Sequence, residues 1–255
     1  MTEQGTIVVD DSGPIARLTL NRPDKRNPIG PATCGELVAA LAAIGANPAV
    51  RVVVLTGAGP VFSAGGDLSA MQAAPGAPTA TLVELLTAMH EVGKPIIAMV
   101  QGPALAGGLG LMVACDLVLA ADTAVFGTTE IGVGLWPMMI TAEITRSIGR
   151  KKTLEMMLTG KKYTAAEALD MGLVNQIVPA AELEATTLKL AGELADKSPA
   201  ALALGLKAFY RSQDMEFAPQ LRYLQAELGR VLALEDAAEG IAAFLGKRKP
   251  VWKGK

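Results

Sequence analysis

The amino-acid sequence predicts an α/β fold on three observations. Segments 17–22, 50–57, 95–102 and 116–122 are rich in Val, Ile, Leu and Thr and close on turn residues, as strands do. The stretches 31–46 and 79–92 repeat apolar residues at spacings of three and four, the period of an amphipathic helix. From Pro137 onward the β-branched runs thin out and Ala- and Leu-rich helical stretches take over. Strand and helix units in this order stack around a common core.

In chain order, RLTLNR (17–22) is the first strand and Pro31 to Ala46 the first helix. VRVVVLTG (50–57), the helix Thr79 to Val92, PIIAMVQG (95–102) and DLVLAAD (116–122) follow. Helices are then predicted over 137–148, 150–158, 164–170, 180–197, 198–211 and 217–231. Ser198-Pro199 reads as a helix start, with Ser as the cap and Pro at the first helical position, where its missing N–H is no loss. The break near residues 190–200 divides the chain into a core, 1–195, and a helical C-terminal region, 196–255. The last stretch, AAFLGKRKPVWKGK, is a basic, aromatic tail whose course depends on what it packs against.

Half of the 255 residues (51%) are hydrophobic, enough to bury a substantial core in one large domain or in one domain with an appendage. The net charge of -2 comes from interspersed charges with no basic stripe to follow a phosphate backbone, so nucleic acid is not expected as a partner. The opening MTEQGTIVVDD is polar and acidic, unlike a secretory or transit segment. The most apolar stretch, 95–121, is interrupted by Gln101, Pro103, several glycines and Asp116, so no membrane span is expected, and the expected location is cytoplasmic. Cys34 and Cys115 fall within predicted apolar helical faces and read as free buried thiols; no metal site is assigned.

Two segments carry chemistry. VFSAGGDL (61–68) follows a strand, and its small residues let backbone N–H groups approach a ligand closely; an ordinary strand-to-helix turn has the same composition. QGPALAGGLGLMVACD (101–116) repeats the arrangement, with Gly107 and Gly108 opening an apolar helix whose first N–H groups lack intrahelical partners. It lacks the third glycine of a dinucleotide fingerprint and the Gly-Lys-Ser/Thr of a phosphate loop. Two amide-presenting loops at strand ends are what an oxyanion hole requires, two donors aimed at one oxygen on which charge develops.

Together LNRPDKRNP (20–28), VFSAGGDL (61–68), QGPALAGGLGLMVACDLVLA (101–120), FGTTEIGVGLWP (126–137), LTGKKYTAAEALDMGLVNQIVP (158–179) and the C-terminal FLGKRKPVW resemble the crotonase superfamily, the enoyl-CoA hydratase/isomerase family, in its usual order. The resemblance implies a spiral of ββα units with a C-terminal helical trimerisation region, assembled as a homotrimer or a dimer of trimers. It implies an acyl-coenzyme A thioester as substrate and no further cofactor. Gly66 and Gly107 resemble the two oxyanion donors. Ala64 with its neighbours Gly65, Asp67 and Leu68 resembles the adenine pocket, and Leu105 is a further substrate-binding position. Lys25 and Arg26 resemble the basic residues near the CoA phosphates, although solvated surface charge reads the same way. The basic tail is a second candidate for that contact.

Hydratases of the family resemble a two-carboxylate design. Glu130 matches one carboxylate; without the resemblance it would read as a surface loop residue. Three residues after Gly107, where the other is expected, the sequence has Gly110. Hydration divides its proton handling between two acids, whereas one Glu suffices to carry a proton between two carbons. The sequence therefore favours 3-enoyl to 2-enoyl isomerisation, with 2-enoyl hydration and a non-catalytic acyl-CoA binding subunit as alternatives, and Glu130 is expected to have a raised pKa. Trp136, in GLWPMM (134–139), is expected in the acyl pocket, with core packing as the other reading. Residues 71–89 fall where the acyl end closes. The sole histidine, His90, has no serine motif to serve and reads as structural or solvated.

Overall fold

The computed structural model describes residues 5–67 and 80–255. The strands are β1 (Ile7–Asp10), β2 (Ile15–Leu20), β3 (Val52–Gly57), β4 (Ile96–Val100), β5 (Ala104–Leu105), β6 (Leu117–Ala121), β7 (Val125–Gly127), β8 (Tyr163–Thr164) and β9 (Gln176–Val178). A six-stranded sheet runs β1-β2-β3-β4-β6-β9, and a small one runs β5-β7-β8. In the large sheet only the β1–β2 pair is antiparallel.

The two central strands are buried along their whole length, which explains their unbroken apolar runs. Val53 and Leu55 of β3, with Ile96, Ala98 and Val100 of β4, face the larger core, which α1 (Pro31–Ala46) and α2 (Leu82–Glu91) cover through Leu37, Leu41, Leu85 and Met89. Their alternates, Val52, Val54, Ile97 and Met99, form a second core beneath α6 (Leu183–Ala195) with Leu183 and Ala191. The strand predicted at 17–22 is β2, two residues earlier than its pattern suggests, and β1 before it was not foreseen. Pro23 opens a 3-10 turn, Pro23–Lys25, and the amide of Arg22 turns to bond the Asn27 side chain, so the chain leaves the sheet after Leu20.

Between these cores and the C-terminus lie α3 (Gly107–Val113), α4 (Ile140–Thr159) and α5 (Ala165–Met171); α7 (Pro199–Ser212), α8 (Phe217–Leu232) and α9 (Glu235–Leu245) follow α6. The division predicted between 148 and 150 appears as a break inside α4, where Gly149 takes φ 71° and ψ 167°. Ser198 caps α7 with Pro199 behind it, its Oγ accepting the Ala201 N–H at 3.1 Å. Helix α9 went unforeseen, and the first five residues of the segment read as a tail, 242–246, belong to it or its cap. Its acids are spoken for: Asp236 is buried and accepts the Ser198 hydroxyl and the amides of Lys253 and Gly254, while Glu239 pairs with Arg248. Cys115 is free and buried but lies in the turn after α3, not on a helix; Cys34 sits on α1. Among the described residues no helix is long and apolar enough to cross a membrane.

Candidate active site

The two glycine-rich loops leave the C-terminal ends of β3 and β4 and come together there. Ser63 N–H donates to the Pro103 carbonyl (3.2 Å) and its carbonyl accepts from Leu105 N–H (2.9 Å), which ties one loop to the other. Further along, the Gly65 carbonyl accepts from Ile29 N–H (2.7 Å) and Asp67 N–H donates to the Ile29 carbonyl (3.0 Å). Groups of an extended chain alternate sides, so the intervening Gly66 N–H points away from Ile29 toward the second loop. A methyl group on Gly107 would lie 3.6 Å from the Gly66 nitrogen. The two amides are therefore neighbours, and among the described residues neither donates to a protein acceptor.

Small residues make this approach possible. A methyl on Gly65, whose φ is 108°, would stand 2.5 Å from Ala106 Cβ, and one on Gly108 would stand 2.6 Å from Ser63 Cβ and Oγ. Ala106 itself takes φ 51° and ψ -131°, a conformation that costs a non-glycine residue about 1–3 kcal/mol. The bond from its N–H to the Gly127 carbonyl (2.8 Å) and its packing on Gly65 hold it there, and α3 starts on the next residue. Ser63, fully buried, pins both loops: its hydroxyl donates to the Asn27 carbonyl (2.7 Å) and accepts the Gly65 N–H (3.2 Å). Asn27, with φ 53°, donates in turn to the carbonyls of Ala58 and Val61. Arg22 pairs with Asp67 at 2.7 Å, fastening the far end of the first loop. Sequence reasoning missed Asn27, Ser63 and Arg22, because their roles depend on partners 31 to 45 residues away.

The strand β7 pairs in parallel with β5, setting Leu105 opposite Gly127. The chain leaving β7 thus runs beside the start of α3, and Glu130 opens a 3-10 turn there, Glu130–Val133. Its Oε2 is buried without a hydrogen-bond partner. Burial pushes the Glu130 carboxyl above the usual carboxylate range, opposed in part by a bond to its own backbone. Position 110 is closed as well as empty of an acid: a methyl on Gly110 would lie 2.5 Å from Ile140 Cβ, inside the contact distance of any real pair.

Other expected residues divide. Lys25 and Arg26 are exposed, and the Arg26 carbonyl accepts the Ala64 N–H at 2.9 Å, which brings their loop beside Ala64 and Gly65. Leu105 is half-buried in β5. Trp136 is half-buried against the larger core, while Met138 and Met139 are exposed. Leu68 and residues 71–79 of the segment 71–89 read as closing the acyl end lie outside the described residues, and 82–89 belong to α2. The basic tail folds back on its own helices, with Arg248 on Glu239, Lys253 on Glu235 and the Trp252 indole N–H on the Asp196 carbonyl. His90 stacks on Tyr210 of α7 at 3.9 Å, a packing role.

Residues 10–255 match the family model described as enoyl-CoA hydratase/isomerase. A putative enoyl-CoA hydratase of Thermus thermophilus is 36% identical over 94% of this chain and 98% of its own. A crystal structure of an enoyl-CoA hydratase from Mycobacterium smegmatis superposes with a TM-score of 0.92 at 32% identity, covering 98% of this chain and 99% of that one. The human enoyl-CoA hydratase domain-containing protein 3 superposes with a TM-score of 0.87 at 32% identity, over 97% and 100% of the two chains.

Proposed function

This chain belongs to the enoyl-CoA hydratase/isomerase family, a crotonase-fold enzyme acting on acyl-CoA thioesters, and from that premise we propose that it shifts a double bond from the 3- to the 2-position of an enoyl-CoA. The thioester oxygen sits between the Gly66 and Gly107 amides. Glu130 removes a proton from C2, the amides hold the resulting enolate, and the same proton is returned to C4 as the C2–C3 double bond forms. The atoms balance without a redox step or an added group, and CoA enters as part of the substrate. Lys25 and Arg26 face the CoA phosphates, Ala64, Gly65 and Asp67 border the adenine, and Leu105 and Trp136 border the thioester and acyl parts.

The observation that carries this reading is the buried, unpaired Glu130 oxygen on the turn that follows β7, the strand whose Gly127 carbonyl accepts the amide of Ala106 next to Gly107. A buried polar atom without a partner costs stability, and a site that keeps one has a use for it. The raised pKa suits a group that must both take and release a proton. A second reading, 2-enoyl hydration, is favoured by the relatives, which are named as hydratases. It needs an acceptor for the attacking water at a place other than residue 110. Matched 2-enoyl and 3-enoyl thioesters offered to wild type and Glu130→Gln, with products separated, test the assignment. Conversion of the 3-enoyl substrate that Glu130→Gln loses is the expected result. A hydroxyacyl product alone supports the hydratase, and turnover of neither, with CoA binding retained, supports a binding subunit.

The exposed apolar stripe of α8 supports assembly of the chain with copies of itself, as a trimer or a dimer of trimers. A cytoplasmic site of action accords with a chain of mixed, dispersed charge.

A further inference from the structure

We propose that Ile140 decides what this site does with an enolate: by filling the space beside Gly110 it leaves no room for a second proton-handling group or for the water such a group would hold. The proposal rests on the proton-transfer reading above and names the residue that enforces it. Residues 107 and 110 are one turn apart on α3 and share a face. The face that begins with an oxyanion amide therefore continues into a branched aliphatic side chain. Gly110 is buried and Ile140 is 2% exposed, so the contact is closed to solvent. Ile140 is the first residue of α4, and its position is set by the turn before it, where the Thr141 hydroxyl donates to the Pro137 carbonyl at 2.6 Å and Trp136 packs against the core.

The chemistry separates along this wall. Hydration forms a C3–O bond, breaks a water O–H bond with its proton passing to an acceptor in hydrogen-bond reach, and places a second proton on C2. Glu130 can supply the proton for C2, but Ile140 offers the water no acceptor. Isomerisation breaks one C–H bond, carries that proton on Glu130 and makes another C–H bond, so it needs nothing from the Ile140 side.

The test uses the full chain as wild type, Gly110→Glu, Ile140→Ala and the Gly110→Glu/Ile140→Ala pair, each offered 2-enoyl and 3-enoyl thioesters of one acyl length. The readout is the ratio of hydroxyacyl to isomerised product, which does not depend on how much of each preparation is folded. Gly110→Glu alone is expected to lose its cooperative melt or both activities. The pair is expected to recover the melt and to raise the ratio about 100-fold, the scale of one added acid–base group. Ile140→Ala alone is expected to raise the ratio less, because the water it admits has only Glu130 to accept its proton and return it to C2. A folded pair that turns over the 3-enoyl substrate at the wild-type ratio overturns the proposal, as does a Gly110→Glu enzyme that melts normally and hydrates. If the pair does not fold, the Ile140→Ala ratio decides, and an unchanged value sinks the idea. Failure of the underlying reading looks different: wild type itself hydrates the 2-enoyl substrate and leaves the 3-enoyl one untouched.

Discussion

Glu130 has a cost as well as a use. A carboxyl whose pKa is raised in the fold destabilises the native state progressively as the pH rises from its ordinary value to the raised one, with the full cost reached above that, because the charged form is the one burial disfavours. Glu130→Gln is thus expected to lower kcat/KM about 100- to 10,000-fold and to melt at or above the wild-type temperature at pH 8, with the stability difference vanishing below about pH 4. The acid limb of the wild-type kcat/KM profile should lie above that of an exposed glutamate. Gly107→Ala separates fold from chemistry differently. Its methyl would make an ordinary 3.6 Å contact with the Gly66 nitrogen, so the chain should fold normally while kcat drops about 100- to 1,000-fold as the methyl takes the oxygen's place. Normal turnover in this variant would remove Gly107 from the oxyanion assignment. At this scale the sequence shows residue types in order, which is what pointed to Gly66, Gly107 and Glu130. It does not show that Ser63 links Asn27 to Gly65, or that residue 110 meets residue 140, since those partners are joined only by the fold.

Among the elements, those with long periodic patterns were legible, and α1 begins and ends where its spacing predicts. The small sheet was not, because two- and three-residue strands carry no period. Yet the β5–β7 pairing is what carries the chain leading to Glu130 past the start of α3, so the least legible elements set the candidate site's geometry. Helix α9 was hidden by acids whose partners lie in the tail and in Ser198. Ser198→Ala removes both a cap and a donor to Asp236 and should cost about 1–2 kcal/mol, a melting shift of about 2–4 °C per kcal/mol in a chain of this length. Burial works against the Asp236 charge, but the bonds from Ser198, Lys253 and Gly254 outweigh it and hold the carboxyl below its usual range. That stabilisation is complete above about pH 4 and fades as the pH falls through the lowered value. Melts of wild type and Asp236→Asn should therefore differ at pH 7 and converge below pH 4; a constant gap would assign the effect to shape and not to charge.

For the molecule as a whole, the described chain leaves one surface unfinished. Phe217, Leu221, Leu224, Leu228 and Leu232 recur down one side of α8 and are all exposed, and no residue of that helix is buried. In the proposed assembly this stripe packs against another copy of the chain, and Leu221→Glu with Leu228→Glu should shift the sedimenting species to monomer while the monomer's helix content stays unchanged. Wild type sedimenting as a monomer would end that reading. The contact between Gly110 and Ile140 also bears on descent. Glutamate at 110 is obstructed while Ile140 stands, and Ile140→Ala taken first opens a core void worth about 2–5 kcal/mol in stability. With each single substitution harmful, a lineage holding this contact has no neutral single-step route to two acids.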